Sequence, residues 1–462
     1  MLFSILVYTF YFLLIALIPI FYSSYKLKKY VLLVLLFSAQ FNVTCLLKLG
    51  VTFSFFEVAL VLSALFSFML LLRRHSFKIL FFNADSIYAY FLIFSIVSIC
   101  IAFIRLLCGN LPVTSEYGLF PLIRSLMSLN KPIFYLLIFI VRQDFIETFS
   151  LNDYRGLFIK YLAFSGIIPA VVVLLQFLSI GFVVIHNNPS YAENAVRIVV
   201  YNGVRVVGLA NEAANFCYGL FFSYIGLFHA YCSQLIGKKN FLAILSLYII
   251  AVVLTISRTG LAMFVIYTLY KYIWYNRPSI ATILKLSVLC AVLLGSLSLV
   301  NLHGFNLYQR LLSTGDVHAD LSTIERYGLT HALFNLAMDK GLVVGVGIYN
   351  YFYYLKDYLP DYVTMNISYE YGYQLPSFNF VLQLWAEYGL FFALLFFVLV
   401  IRMVRKCKDP LIKEWFLFLL FFAFSFQILN FSVPFLIFLY PPLTWKEPSF
   451  KAPYRIKYEQ NT

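Results

Sequence analysis

FIKYLAFSGIIPAVVVLLQFLSIGFVVI, residues 158–185, carries one charged side chain, Lys160, in an otherwise apolar or weakly polar run. A helix rises 1.5 Å per residue and the hydrocarbon core of a bilayer is about 30 Å thick, so about twenty such residues suffice to cross it. Comparable runs fill most of the chain, at 2–22, 30–47, 51–72, 87–107, 117–141, 211–231, 241–256, 260–275, 281–302, 379–401 and 415–430. A shorter one lies at 435–445. With 62% hydrophobic, 20% aromatic and only 12% charged residues, no polar segment remains that could form a soluble core of its own. A soluble enzyme is excluded. The expected fold is an all-α polytopic membrane protein with 12–13 transmembrane helices and one large, partly helical external loop.

The formal charge of +14 would suggest nucleic acid in a soluble chain, but its distribution reports topology instead. Basic residues gather in short connectors at Lys26, Lys28 and Lys29, at Arg73, Arg74 and Lys78, at Lys238 and Lys239, and at Arg402, Arg405, Lys406 and Lys408. The positive-inside rule makes these cytoplasmic. Two long connectors face the other side, 186–208 and 303–378. The second holds four basic residues (Arg310, Arg326, Lys340, Lys356) against seven acidic ones (Asp316, Asp320, Glu325, Asp339, Asp357, Asp361, Glu370), a net of minus three. Helix-like apolar spacing at Leu329, Leu333, Leu336 and Ala337 predicts a folded cap within it.

The expected organisation is therefore helices over 1–302, the large periplasmic loop over 303–378, C-terminal helices over 379–445 and a basic cytoplasmic tail over 446–462. The first run has no basic region before it and no cleavage pattern after it, so it reads as a retained span. The connector after Tyr22 places the amino terminus outside, whereas twelve spans ending in a cytoplasmic tail place it inside. No internal repeat is visible.

Seven scattered cysteines, with no C-x-x-C and no histidine at metal spacing, suggest neither a disulfide framework nor a metal site. No Asp-x-Asp occurs, and external carboxylates are not grouped as a magnesium cage requires. No cofactor and no nucleic-acid partner are expected.

Ionisable residues at membrane depth are functional candidates by default, and the informative ones fall on the external side. Arg197 and Arg205 lie in the first long loop, Arg258 in the turn Ser257-Arg258-Thr259-Gly260, and Arg310 and Arg326 in the large loop. A guanidinium presents a fixed fork of donors and keeps its charge, which suits a phosphate or pyrophosphate head group. The competing reading for each is an interfacial anchor or a salt-bridge partner.

Four blocks carry a family resemblance. Arg205-Val206-Val207-Gly208-Leu209-Ala210-Asn211-Glu212 leads into a span, and Ser257-Arg258-Thr259-Gly260 forms a turn. Arg326 is followed by Gly345-Val346-Gly347-Ile348-Tyr349-Asn350, and Asn379-Phe380-Val381-Leu382 runs on to Glu387-Tyr388-Gly389. In order and spacing they resemble the O-antigen polymerase and ligase superfamily, whereas the first two hundred residues are similar only in hydropathy. Ligases of this superfamily carry a histidine just before the asparagine, where this chain has Phe378. That departure favours the polymerase branch.

The resemblance implies a GT-C-like membrane glycosyltransferase in the bacterial inner membrane. It would move a glycan from undecaprenyl pyrophosphate onto the terminal sugar hydroxyl of another lipid-linked repeat unit, at the periplasmic face. It also implies a chain-length regulator as partner. In this reading Arg205, Arg258 and Arg326 bind the pyrophosphate, and Glu212, His331 and Glu387 are candidate bases. For His331 the alternative is a structural hydrogen bond, and for Glu387 an ion pair or packing contact. The tyrosines from Tyr349 to Tyr373 could line a glycan groove or form an aromatic belt. A ligase acting on the lipid A core and a flippase for the same lipid-linked sugar are the competing functions.

Overall fold

A computed structural model describes residues 2–40, 45–49, 51–74, 86–108, 130–178, 206, 208–210, 213–255, 257–276, 301–302, 305–306, 321–348, 350–361, 379–424 and 433–441. In chain order the helices are α1 (Leu2–Ala16), α2 (Ile18–Tyr22), α3 (Tyr25–Ser38), α4 (Phe55–Arg73), α5 (Ser86–Leu107), α6 (Asn130–Thr148), α7 (Leu151–Ser165) and α8 (Ile167–Phe177). There follow α9 (Ala213–Cys232), α10 (Lys238–Leu254), α11 (Arg258–Asn276), α12 (Leu321–Lys340), α13 (Tyr351–Leu355), α14 (Phe380–Tyr388), α15 (Leu390–Lys406) and α16 (Pro410–Phe422). Short 3-10 helices occupy Lys356–Tyr358 and Val433–Leu439.

The helical expectation holds, with two small exceptions. β1 (Cys45–Leu49) pairs antiparallel with β2 (Val51–Ser54), and β3 (Asn301–Leu302) with β4 (Phe305–Asn306). The run 30–47 therefore does not form one span: its helix stops at Ser38 and its end is a strand. Val433–Leu439, which overlaps the start of the short run at 435–445, covers only about 14 Å at the 3-10 rise of about 2 Å per residue. Among the described residues, Phe55–Arg73 and Leu151–Phe177 are long and apolar enough to cross a bilayer.

The contacts divide the chain into two compact units: Met1–Ser63, Phe149–Thr314 and Lys446–Thr462 form one, and Ala64–Thr148 and Gly315–Trp445 the other. The first is built around α9, whose residues are buried nearly all the way round, the pattern of a helix enclosed by others. Gly226 lets α7 come close, because a Cβ there would lie 3.1 Å from the Ala163 backbone nitrogen. Polar atoms at this depth must find partners. Gln40 Nε2 donates to Ser223 Oγ at 2.9 Å and to Ser165 Oγ at 3.3 Å, and the two serines lie 2.8 Å apart.

In the second unit α5 packs on α15, α12 on α14, α14 on α15, and α6 on the Val433–Leu439 helix. Its buried charges are partnered. Arg142 donates from Nη1 to Phe438 O at 3.0 Å and lies over the Phe139 ring. Asp144 accepts from Ser67 Oγ at 2.9 Å and has Arg74 Nη1 at 3.7 Å. Asp409 caps α16, with Oδ1 accepting from Leu411 N and Ile412 N and Oδ2 from Tyr440 Oη at 2.9 Å. These contacts order the same unit that carries the large-loop helix α12.

Candidate active site

The late sequence block opens α14. Asn379 is its N-cap, with the side-chain oxygen accepting from Leu382 N at 3.0 Å, which satisfies one orphan donor of the first turn. The helix stops at Tyr388 because Gly389 takes φ +95°, a conformation open to glycine and costly to side chains. Glu387 is 1% exposed, and its Oε1 accepts from Gln383 Nε2 at 3.3 Å.

The glycine block lies backbone to backbone against that helix end. Val346 N donates to Ala386 O at 2.8 Å, Gly347 N to Glu387 O at 3.0 Å, and Leu390 N to Gly341 O at 2.8 Å. Trp385 Nε1 adds a bond to Gly341 O at 3.2 Å. A Cβ on Gly345 would sit 2.2 Å from the Glu387 carbonyl carbon and 2.5 Å from Ala386 O. Gly345 is thus required for close approach: no side chain fits there between the two backbones. Two blocks that the sequence separates by about forty residues form one piece of structure, with Glu387 inside it.

This piece is braced from α5. Ile348 N donates to Ser98 Oγ at 2.5 Å, and Arg105 donates from Nη2 to Val344 O at 3.3 Å and also bonds to Tyr354. Asn350, fully buried, donates from its backbone to Gly347 O at 3.1 Å. Arg105 was missed in the sequence, where a lone arginine at the end of an apolar run reads as an interfacial anchor.

Arg326 and His331 both lie on α12, but on different faces. Leu329, Leu333, Leu336 and Ala337 are buried as their spacing predicts, in a core with Val346, Tyr351, Tyr353, Leu355 and Ala386. Arg326 is half-buried and His331 exposed. Five residues at 100° each set the two about 140° apart. Tyr351, Tyr353 and Tyr354 are core residues here, which excludes them from both a sugar groove and an interfacial belt. Beyond the core, the Tyr358 hydroxyl and then the Lys340 ammonium hold the exposed Asp339 carboxyl below its ordinary value.

The other two blocks belong to the first unit. Gly208 takes φ +62° and is clamped by Gln176, which accepts from Gly208 N at 2.8 Å and donates to Gly208 O at 2.9 Å. The only sequence sign of Gln176 is an amide inside an apolar run. We expect Gly208→Ala to cost about 1–2 kcal/mol in backbone strain, plus the displacement of the Phe216 ring, which a Cβ would meet at 2.5 Å. Thermal unfolding of the purified variant checks this. Ser257 caps α11, accepting from Gly260 N at 3.2 Å, and Gly260 lies against Cys217. Arg258 is the first residue of α11. Arg205 and Glu212 lie outside the described residues. Among the described residues, no three His, Cys, Asp or Glu side chains come together as a metal site requires.

Residues 242–398, from within α10 to within α15, match the family model described as O-antigen ligase. This stretch, about a third of the chain, is similar to that family, and three of the four blocks, those at Ser257–Gly260, Arg326–Asn350 and Asn379–Gly389, fall within it. The superfamily comprises membrane glycosyltransferase-like enzymes that act on lipid-linked oligosaccharides. Arg258, Arg326, His331 and Glu387 fall inside the matched stretch, whereas Arg205, Glu212 and Arg105 precede it. No curated protein and no solved structure matches the chain.

Proposed function

We propose that this chain is a polymerase of lipid-linked oligosaccharide repeat units, acting at the outer face of the bacterial inner membrane. The observation that carries the reading is the joined glycine and Glu387 element inside the matched domain, which places a buried carboxylate on a rigid backbone. The acceptor sugar hydroxyl attacks the anomeric carbon of the donor, the bond to undecaprenyl pyrophosphate breaks, and the hydroxyl proton passes to a base. Pyrophosphate is a good leaving group, so the protein chiefly supplies cations for the charge that develops on it and a base for the acceptor. Arg205, Arg258 and Arg326 are assigned the first role. Glu387, Glu212 and His331 are the candidates for the second, and no metal is called for.

Multi-pass insertion is supported by the apolar stripe that α4 exposes at Leu65, Phe68, Met69 and Leu72, a surface that water would disfavour. The basic connectors at Arg73 and Arg402 then face the cytoplasm, and the loop holding α12 faces out. The description of the matching family favours a ligase as the second reading, and Phe378 in place of histidine favours the polymerase.

A deletion strain separates the readings through its surface-glycan ladder. Single repeat units on the surface lipid are expected for a lost polymerase. Long polymer left on the carrier lipid would indicate a ligase, and no glycan outside a flippase. Glu387→Gln keeps the volume of the side chain while removing its ability to take a proton. We expect it to stop chain growth with the membrane-inserted amount unchanged, measured by ladder and immunoblot together. Normal ladders in this variant would move the base elsewhere.

A further inference from the structure

We propose that the outer face of α12 is a lipid-docking surface: this external helix lies against the bilayer and extends the hydrocarbon-facing side of the protein up to His331. The inference rests on the membrane reading above and concerns a surface that the reaction itself does not define.

A helix on a water-exposed cap should bury one stripe and present polar residues on the other. α12 buries Leu329, Leu333, Leu336 and Ala337, yet its opposite side exposes Phe334 and Met338, both more than 40% accessible, at the spacing that continues from Tyr327 and His331. Immediately after the helix, Leu342 is 54% and Val343 78% exposed. Apolar surface on both sides of a helix indicates that something apolar covers the second side.

The occupant follows from what this strip adjoins. The bond from Leu390 N to Gly341 O, and the approach of Val343 O to Gly389, set residues 341–343 beside the start of α15. From there Phe391, Leu394, Val398 and Ile401 form an exposed stripe at helical spacing down α15. It ends at Arg402, Arg405 and Lys406, the pattern of a span reaching a cytoplasmic surface. The exposed apolar side of α12 therefore runs on into a lipid-facing stripe, with the Asp339–Lys340 ion pair beside the junction. The acyl chains of the bilayer fit this surface, because it offers wide apolar contact.

The test places a photo-crosslinking benzoyl-phenylalanine at single positions of the full-length protein in native membranes and reads the adducts by mass spectrometry. Lipid adducts at Phe334 and Val343, at a yield comparable to Val398 and absent at the exposed Asp357, are the expected result. Adducts at Val398 but none at Phe334 or Val343 would overturn the docking surface while leaving the membrane reading intact. No adduct at Val398 would overturn the membrane reading and the proposal with it. Crosslinks from Phe334 and Val343 to a second copy of the protein, in place of lipid, would assign the face to self-association and also overturn it. Equal recovery of every variant in the membrane fraction shows that the substitutions are tolerated.

Discussion

Gly345→Ala is expected to destroy the candidate site, with a loss of at least about 3 kcal/mol of local stability, the upper range for forcing one extra methyl into a packed interior. The added carbon would fall 2.2–2.5 Å from the Glu387 carbonyl carbon and oxygen and from Ala386 O. All three are backbone atoms, so no rotamer change relieves the clash. The strand of chain from Gly345 would have to move away from α14, breaking the bonds of Val346 N and Gly347 N. Both the fixed position of Glu387 and the bracing from Ser98 and Arg105 depend on that contact. The measurement is chain length together with protein level and protease resistance. A variant that makes normal chains and resists protease like the parent would show that the close approach is not needed.

The second large effect concerns the arginines. Arg205→Ala, Arg258→Ala and Arg326→Ala are each expected to abolish long glycan chains while the protein remains inserted. Removing one preorganised donor to a developing negative charge typically costs about 10²–10³ in rate, enough to reduce a ladder to single units. Lysine at the same positions should rescue poorly, because an ammonium cannot reproduce the planar fork that grips two phosphate oxygens. Normal chain lengths in all three variants would remove these residues from the site. Arg326 carries one further expectation. It is half-buried on α12, so its variant should also unfold at a lower temperature than one at an exposed position of that helix.

What could be read from the sequence depended on whether the signal was local. The spacing of Leu329, Leu333, Leu336 and Ala337 reports a helix face directly, and all four are buried. The caps are equally local: Ser257 and Asn379 each bond within three residues. The joining of Gly345 to Glu387 is not local. The glycines mark a place where backbones meet but do not name the partner, and only the family resemblance linked the two blocks. Arg105 acts on Val344 across 239 positions, which no periodicity reveals. The pairing of β1 with β2 was hidden for a different reason: both strands lie at the ends of longer apolar runs, and apolar residues suit a strand and a helix alike. Arg326 and His331, five positions apart, are only roughly on one helical face by sequence spacing, and α12 separates them further, with Arg326 half-buried and His331 exposed.

The central claim is that this chain itself joins lipid-linked repeat units. Its most direct measurement uses the purified full-length protein in liposomes with undecaprenyl-pyrophosphate-linked repeat units and no other enzyme, with products resolved by mass. A ladder of whole-number multiples of the repeat, accompanied by one released undecaprenyl pyrophosphate for each unit added, is the predicted result. Recovery of the starting material at single-unit length, from protein shown to be folded, would contradict the account.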